Sequence, residues 1–196
     1  LLPVSGLPPS EVRSTVKAVR LLNHSRSIVV PTIRNRENIM SADNFTPSIT
    51  AILAYEGGLS KNRADPGNWT GGKVGVGLLK GTKYGIAASS HPGLDIINLT
   101  LAEARAIYKA EYWDKVKGDL LPAGVDLVTA DYAVNSGVSR SAKALQKVVG
   151  MAQDGRIGTD TVKAVILSDG KATIQKLCAS RLSFLKALKT WATFKG

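Results

Sequence analysis

The chain has 196 residues, 44% of them hydrophobic and 21% charged, which is typical of a globular protein with one domain and room for an appended arm. A formal charge of +11 predicts an anionic partner, which nucleic acid, a membrane surface or a bacterial envelope polymer would each provide. A single cysteine, Cys178, excludes an internal disulfide, and with only two histidines the chain is expected to need neither a metal nor a cofactor.

Two further classes of protein are disfavoured by patterns that the sequence lacks. It has no apolar run of about 18 residues, and residues 1–30 lack the basic start, apolar middle and cleavage site of a secretory signal. Neither a transmembrane segment nor a signal peptide is therefore expected. The basic residues are dispersed, and no helix-turn-helix, zinc-finger or aromatic RNP signature is present, so we expect no specific nucleic-acid partner.

The first 43 residues are predicted to form an irregular N-terminal arm or linker. Four prolines interrupt this segment, and only the stretch "SEVRSTVKAVRLL" shows helical spacing of its apolar residues. The domain proper is expected to span residues 44–196.

The first helix of the domain is predicted in "NFTPSITAILAYEGG", with Thr46 as its N-cap and Gly57 as its C-terminal cap. One apolar face of this helix ends in a carboxylate, Glu56. Burial on that face and the negative end of the helix dipole would both raise its pKa, as a general acid requires. A glutamate at a helix end can also be purely structural, so the two interpretations stand side by side.

Residues 61–90 are rich in glycine and β-branched residues, and they predict a small β-hairpin lobe. Asp65 opens the turn "DPGN" within it, which would hold a second carboxylate in a polar loop. Glycosidases divide acid and base roles between two carboxyls in such contrasting surroundings. An aspartate in an Asp-Pro-Gly turn is nevertheless often structural when taken alone.

From Thr100 onward the spacing of apolar residues is helical. "TLAE" predicts a capping box between Thr100 and Glu103 at the start of a helix that runs to about Val116. Further helices are expected from near Pro122 to Gly137, from Ser139 to Gly150, from Thr159, and from about Gly170 to Leu188, with "DGRIG" as a turn between two of them. The pattern predicts a mainly α fold with one small β lobe near its start.

Six blocks resemble, in order over about 140 residues, those of glycoside hydrolase family 108: "EGGLS", "ADPGN", "TKYGI", "YKAEYWDKVKGDLLPAGVDLVTADYAVNSG", "AKALQKVVG" and "DGRIG". That family comprises peptidoglycan-cleaving N-acetylmuramidases of phage endolysins and bacterial secretion systems, with a lysozyme-like α+β fold. The sequence departs from the family motifs at Leu59, where tyrosine is usual, and at Lys83, where asparagine is usual. It also inserts roughly "WTGGKVGVGLLKG" before the "TKYGI" block.

The resemblance implies three catalytic residues. Glu56 would protonate the glycosidic oxygen after N-acetylmuramic acid, while Asp65, helped by Thr82, would orient or deprotonate water. Similarity to phage-type lysozymes implies inversion at the sugar. A lytic transglycosylase, or a non-catalytic virion structural or wall-binding protein, is the alternative.

Four residues are expected to bind substrate in this frame. Tyr84 and Trp69 would stack on sugar rings. Asp131 and Asn135 lie four apart on one helix face and would either hydrogen-bond sugar groups or form a buried polar pair that fixes helix packing.

The resemblance also implies where the protein acts and what it meets there. The expected partner is bacterial peptidoglycan, at the cell wall or in the periplasm, with no cofactor. A phage endolysin used in host lysis, a virion-associated enzyme whose N-terminal arm contacts tail proteins, and a bacterial secretion factor all remain open.

Overall fold

A computed structural model describes residues 43–54 and 58–188. The N-terminal arm up to residue 42 lies outside the described residues, as do Glu56 and the predicted helix cap Gly57. The boundary between arm and domain therefore remains a prediction.

The described residues form six α-helices and a two-stranded antiparallel sheet. The helices are α1 (Phe45–Leu53), α2 (Leu101–Tyr108), α3 (Val125–Ser136), α4 (Val138–Val148), α5 (Thr159–Leu167) and α6 (Gly170–Lys186). The strands are β1 (Thr82–Lys83) and β2 (Ile86–Ala87), with Thr82 opposite Ala87. Single turns of 3₁₀-helix occupy Pro66–Asn68 and Gly118–Leu120. The predicted mainly α fold with a small β lobe is confirmed.

None of these described helices has both the length and the apolar character that crossing a bilayer requires.

Helix α1 begins slightly earlier than predicted, and Thr46 is not its N-cap. The helix starts at Phe45, and Asn44 precedes it with helical backbone angles and no capping side-chain bond. The Thr46 hydroxyl instead donates to the Asp43 carboxylate at 3.1 Å, so it is not free to cap the helix N-terminus. The apolar face is as predicted, with three buried side chains: Ile49, Ile52 and Leu53.

The capping box at the start of α2 is confirmed. Glu103 donates its backbone N–H to the Thr100 hydroxyl at 3.3 Å, and its carboxylate accepts the Thr100 backbone N–H at 2.8 Å. The helix ends sooner than the predicted Val116, because the chain widens into a π-helical turn over Lys109–Trp113. Trp113 lies at the end of that turn, buried in the core and donating to Asp119 Oδ1 at 2.6 Å.

The core surrounds α3, which packs against α1, α4 and α6. Apolar side chains are buried around most of its circumference, including Val125, Val128 and Ala133. Fully burying one valine side chain contributes about 1.5–3 kcal/mol. This central helix therefore holds the later helices and α1 in one hydrophobic cluster.

The "DGRIG" segment is confirmed as a turn between two helices of the same domain. Gln146 of α4 is buried, donating to Asp154 Oδ1 at 2.6 Å and to the Arg156 carbonyl at 2.9 Å. Its own side-chain oxygen accepts the Gly155 N–H at 3.0 Å. One glutamine thus fixes the turn that leads into α5.

Candidate active site

The β lobe is tied to the chain that follows α1. Ser60 pairs with Thr82 through two backbone bonds, N–H to carbonyl in each direction, of 2.8 and 2.9 Å. Strand β1 therefore has Ser60 on one side and β2 on the other. The "EGGLS" block ends at Ser60, so its last residue is fixed next to Thr82.

Asn68 connects the Asp65 turn to Thr82. Its side chain is fully buried, donates to the Asn62 carbonyl at 2.9 Å and accepts the Thr82 hydroxyl at 2.7 Å. Its backbone N–H donates to the Asp65 carbonyl at 3.2 Å. Sequence reasoning missed this residue, and the available signal was its position at the end of "DPGN".

Asp65 caps the short turn that follows it. Its Oδ1 accepts the Gly67 N–H at 2.8 Å, as expected for an aspartate before a 3₁₀ turn. Within the described residues Oδ2 accepts no hydrogen bond. The half-buried carboxylate is thus held in place through one oxygen.

The inserted segment does not separate Thr82 from the Asp65 turn, because it closes at its base. Trp69 and Leu79 form an antiparallel bridge, and Gly81 donates its N–H to the Asn68 carbonyl at 3.0 Å. The chain leaves and returns at neighbouring points. Thr82 therefore follows the insertion directly beside Asn68.

A groove of about 290 Å³ opens between the end of α1, the β lobe and the start of α2. Its lining residues are Thr50, Leu53, Ala54, Gly58, Tyr84, Leu101 and Arg105. Most of this wall is apolar, with polar groups from a threonine, a tyrosine and an arginine. Such a surface suits a ligand with flat apolar faces and a few polar substituents.

Tyr84 is the predicted sugar-stacking residue that lines this groove. Its backbone is left-handed, with φ of 51°, and its carbonyl accepts the Tyr108 hydroxyl at 2.9 Å. The Lys83 ammonium lies 5.5 Å from the centre of the Tyr84 ring. These contacts fix the ring at the edge of the groove.

Arg105 brings a positive charge to the groove and was not singled out in the sequence. One of its terminal nitrogens donates to the Thr50 hydroxyl at 3.4 Å. Its Nε is buried without a hydrogen-bond partner in the part of the chain that the structure describes. The helical spacing from Leu101 could have indicated that Arg105 shares a face with it.

Trp69 has surroundings different from those of Tyr84. It is only 9% exposed, and its Nε1 donates to the Arg63 carbonyl at 3.0 Å. The Arg63 guanidinium also lies 5.8 Å from the ring centre. This packing favours a structural role at the base of the insertion.

Asp131 and Asn135 form the buried polar pair that was one of the two alternatives. Asn135 donates to Asp131 Oδ1 at 2.9 Å, and both residues are less than 10% exposed. The other Asp131 oxygen pairs with Arg181, a buried residue of α6. The pair thus joins α3 to α6, and these contacts favour helix packing over sugar binding.

Across residues 43–54 and 58–188, no group of three His, Cys, Asp or Glu side chains is arranged to hold a metal ion.

A mainly α fold whose β lobe adjoins the chain after helix α1 has the architecture of a lysozyme-like glycoside hydrolase. The family model of glycosyl hydrolase 108 matches residues 49–137, a range that includes Glu56, Asp65 and Thr82. A solved structure, that of Brucella abortus SagA, is 38% identical, with a TM-score of 0.63, and the match covers 76% of this chain and 84% of that one. No curated protein gave a significant match.

The chain belongs to the glycosyl hydrolase 108 family. It is therefore a glycoside hydrolase of the N-acetylmuramidase class, and peptidoglycan is the polymer on which this family acts.

Proposed function

We propose that the protein hydrolyses the glycan strand between N-acetylmuramic acid and N-acetylglucosamine, with Glu56 as the general acid. The observation that carries this proposal is the groove, to which Ala54 and Gly58 both contribute. Glu56 lies two positions from each of them in the sequence, so two lining residues bracket the residue that the family resemblance assigns as the acid. In this proposal a glycosidic oxygen bound in the groove receives its proton from the Glu56 carboxyl.

In this proposal Asp65, helped by Thr82, orients or deprotonates the attacking water. Their link through Asn68 supports a shared role, and Asp65 Oδ2 is the oxygen available to accept a proton from water. Attack of that water on the sugar face opposite Glu56 would invert the anomeric carbon. Proton NMR of the first product formed would reveal its anomer, and retention would contradict the proposed route.

Glu56→Gln tests the acid directly. The amide keeps the shape of the side chain but lacks a transferable proton, so turnover of purified peptidoglycan should fall by about 10²- to 10⁴-fold. Glu111→Gln is the matched control, because that carboxylate pairs with His91 and is placed on α2's π turn, not in the groove lining. Melting curves on the same preparations separate chemistry from folding. A folded Glu56→Gln enzyme with parental turnover would contradict the assignment.

The products distinguish hydrolysis from the alternatives. Reducing N-acetylmuramic acid ends, measured by mass spectrometry, are expected from attack by water. Anhydro-muramic ends would instead identify a lytic transglycosylase. Binding to walls with no new ends would indicate a wall-binding protein without turnover.

We further propose that the protein is phage-encoded and acts in wall penetration or host lysis, with residues 1–43 contacting virion or tail proteins. The proline-interrupted arm supports this setting. Removing residues 1–40 should leave turnover of purified peptidoglycan intact and abolish co-sedimentation with virions. Loss of folding or turnover would instead make the arm part of the domain.

A further inference from the structure

The insertion presents three aliphatic side chains to solvent. We call residues 71–79 the apolar loop, and within it Val74, Val76 and Leu78 are 56%, 48% and 66% exposed. Along the chain these three residues alternate with glycines. Three exposed aliphatic side chains grouped within five residues of one loop point to an interaction site.

The apolar loop is a folded structure. Gly71 donates its N–H to the Val76 carbonyl at 3.1 Å, and Thr70 donates to the Leu78 carbonyl at 3.0 Å. The Thr70 hydroxyl accepts the Leu78 N–H at 2.9 Å. Positive φ at Gly75 and Gly77 turns the chain between these bonds. The backbone therefore holds the aliphatic side chains outward in a fixed arrangement.

The lobe that carries the apolar loop is strongly basic. Between residues 58 and 94 the sequence has five basic residues, Lys61, Arg63, Lys73, Lys80 and Lys83, against one acidic residue, Asp65. The Lys80 ammonium donates to the Pro92 carbonyl at 2.7 Å, and that of Lys83 to the Ile97 carbonyl at 3.0 Å. Asp95 and Glu103 lie near enough to interact with Lys80 and Lys83. The other three basic residues form no ion pair in the described part of the chain, so the lobe keeps a net positive charge.

We propose that the apolar loop docks on a bilayer that contains anionic phospholipid. The aliphatic side chains would enter the boundary between headgroups and acyl chains, and the basic residues would contact the phosphates. A glycan strand offers no acyl phase for three aliphatic side chains. A second copy of the chain would bring a lobe of the same charge, which repulsion disfavours.

Vesicle co-sedimentation of the full chain tests this proposal. The parent should bind vesicles of phosphatidylcholine with 30% phosphatidylglycerol and bind pure phosphatidylcholine much more weakly. Replacing Val74, Val76 and Leu78 together by serine should weaken binding at least about tenfold, because three partly exposed aliphatic groups no longer enter the bilayer.

A double serine variant at Ile166 and Leu167 is the matched control. These residues of α5 are 58% and 88% exposed, and their replacement should leave vesicle binding unchanged. Both variants should melt near the parent and clear purified walls at the parental rate. Equal binding by the loop variant and the parent, or no parental binding to anionic vesicles, would overturn the proposal. A loop-dependent dimer in light scattering without vesicle binding would assign the loop to self-association instead.

Discussion

Asn68 is a single residue that contacts two proposed catalytic residues, Thr82 through its side chain and Asp65 through its backbone N–H. It is fully buried and joins the Asn62 carbonyl to the Thr82 hydroxyl. A buried polar group that loses its partner costs about 1–3 kcal/mol. Removing the amide would leave both of those groups without that bond, so stability and catalysis should respond together.

Asn68→Leu should therefore lower the free energy of unfolding by about 2 kcal/mol or more and reduce turnover below the melting range. Urea unfolding and initial rates on peptidoglycan measure the two effects. Asn98→Leu is the control, because exposed Asn98 bonds only to neighbouring Asp95 in the described structure. A variant as stable and as active as the parent would contradict the role assigned to Asn68.

Asp126 provides a second prediction at the residue scale. Burial raises the pKa of this carboxyl above its ordinary 3.8, although the Leu127 N–H, the Asn44 side chain and the Gly124 N–H oppose the shift. The folded state thus holds the proton more tightly than the unfolded state. Stability is therefore lost as the pH rises from about 3.8 through the folded pKa, and the ionised form remains costly at neutral pH.

Asp126→Asn keeps an oxygen for the two N–H donors and cannot ionise. It should melt at a higher temperature than the parent at pH 7, and the difference should shrink as the pH approaches 3.8. Asp160→Asn is the control, since the side chain of this first-turn residue of α5 is 82% exposed. Calorimetry across this pH range measures the difference in melting temperature between the variant and the parent. A lower melting temperature for Asp126→Asn than for the parent at pH 7 would contradict the prediction.

Among the elements, the insertion is the most separable from the rest of the fold. Trp69 pairs with Leu79, and Gly81 bonds to Asn68. These contacts hold the two ends of the insertion together, whatever number of residues lies between them. Paired residues in an antiparallel bridge are about 4.5–5.5 Å apart, a gap that a two-residue turn can span.

Replacing residues 71–77 by Asn-Gly should leave wall clearing within about threefold of the parent, because the base bonds that fix Thr82 remain. Turbidity loss of permeabilised cells and a melting curve provide the measurement. Replacing residues 62–68 by Asn-Gly removes a segment of the same length, but that segment contains the Asp65 turn. This variant should no longer clear walls. Strong inactivation by the first replacement would mean that the loop contributes to the site.

The sequence predicted elements whose pattern is local and missed contacts between distant residues. The apolar face of α1 and the box at Thr100 depend on neighbours within four positions, so periodicity and capping rules sufficed. Asn68 meets Thr82 fourteen residues later, and Asp131 meets Arg181 fifty residues later. No spacing rule connects such pairs. The π turn before Trp113 escaped prediction because the apolar spacing there also fits a continuous α-helix.

At the scale of the whole molecule, the net positive charge is the property that predicts binding to the wall. The formal charge of +11 should attract anionic wall material through interactions that salt screens, with a Debye length of about 10 Å at 0.1 M. Binding to intact walls should weaken as salt rises, whereas hydrolysis of short soluble glycan chains should change much less. Sedimentation with walls and product release from soluble chains, measured over one salt series, make the comparison. If wall binding and hydrolysis of soluble chains were equally sensitive to salt, electrostatic attraction would not explain the binding to walls.

The bridge between Ser60 and Thr82 also limits where insertions and deletions can occur in the chains of family members. The chain from Ala54 to Ser60 runs from a helix end to a paired residue. One added residue there would have to be absorbed within a few positions or would shift the pairing and turn side chains to the opposite face. Insertions and deletions among relatives should therefore concentrate between residues 70 and 80 and be rare between residues 54 and 60.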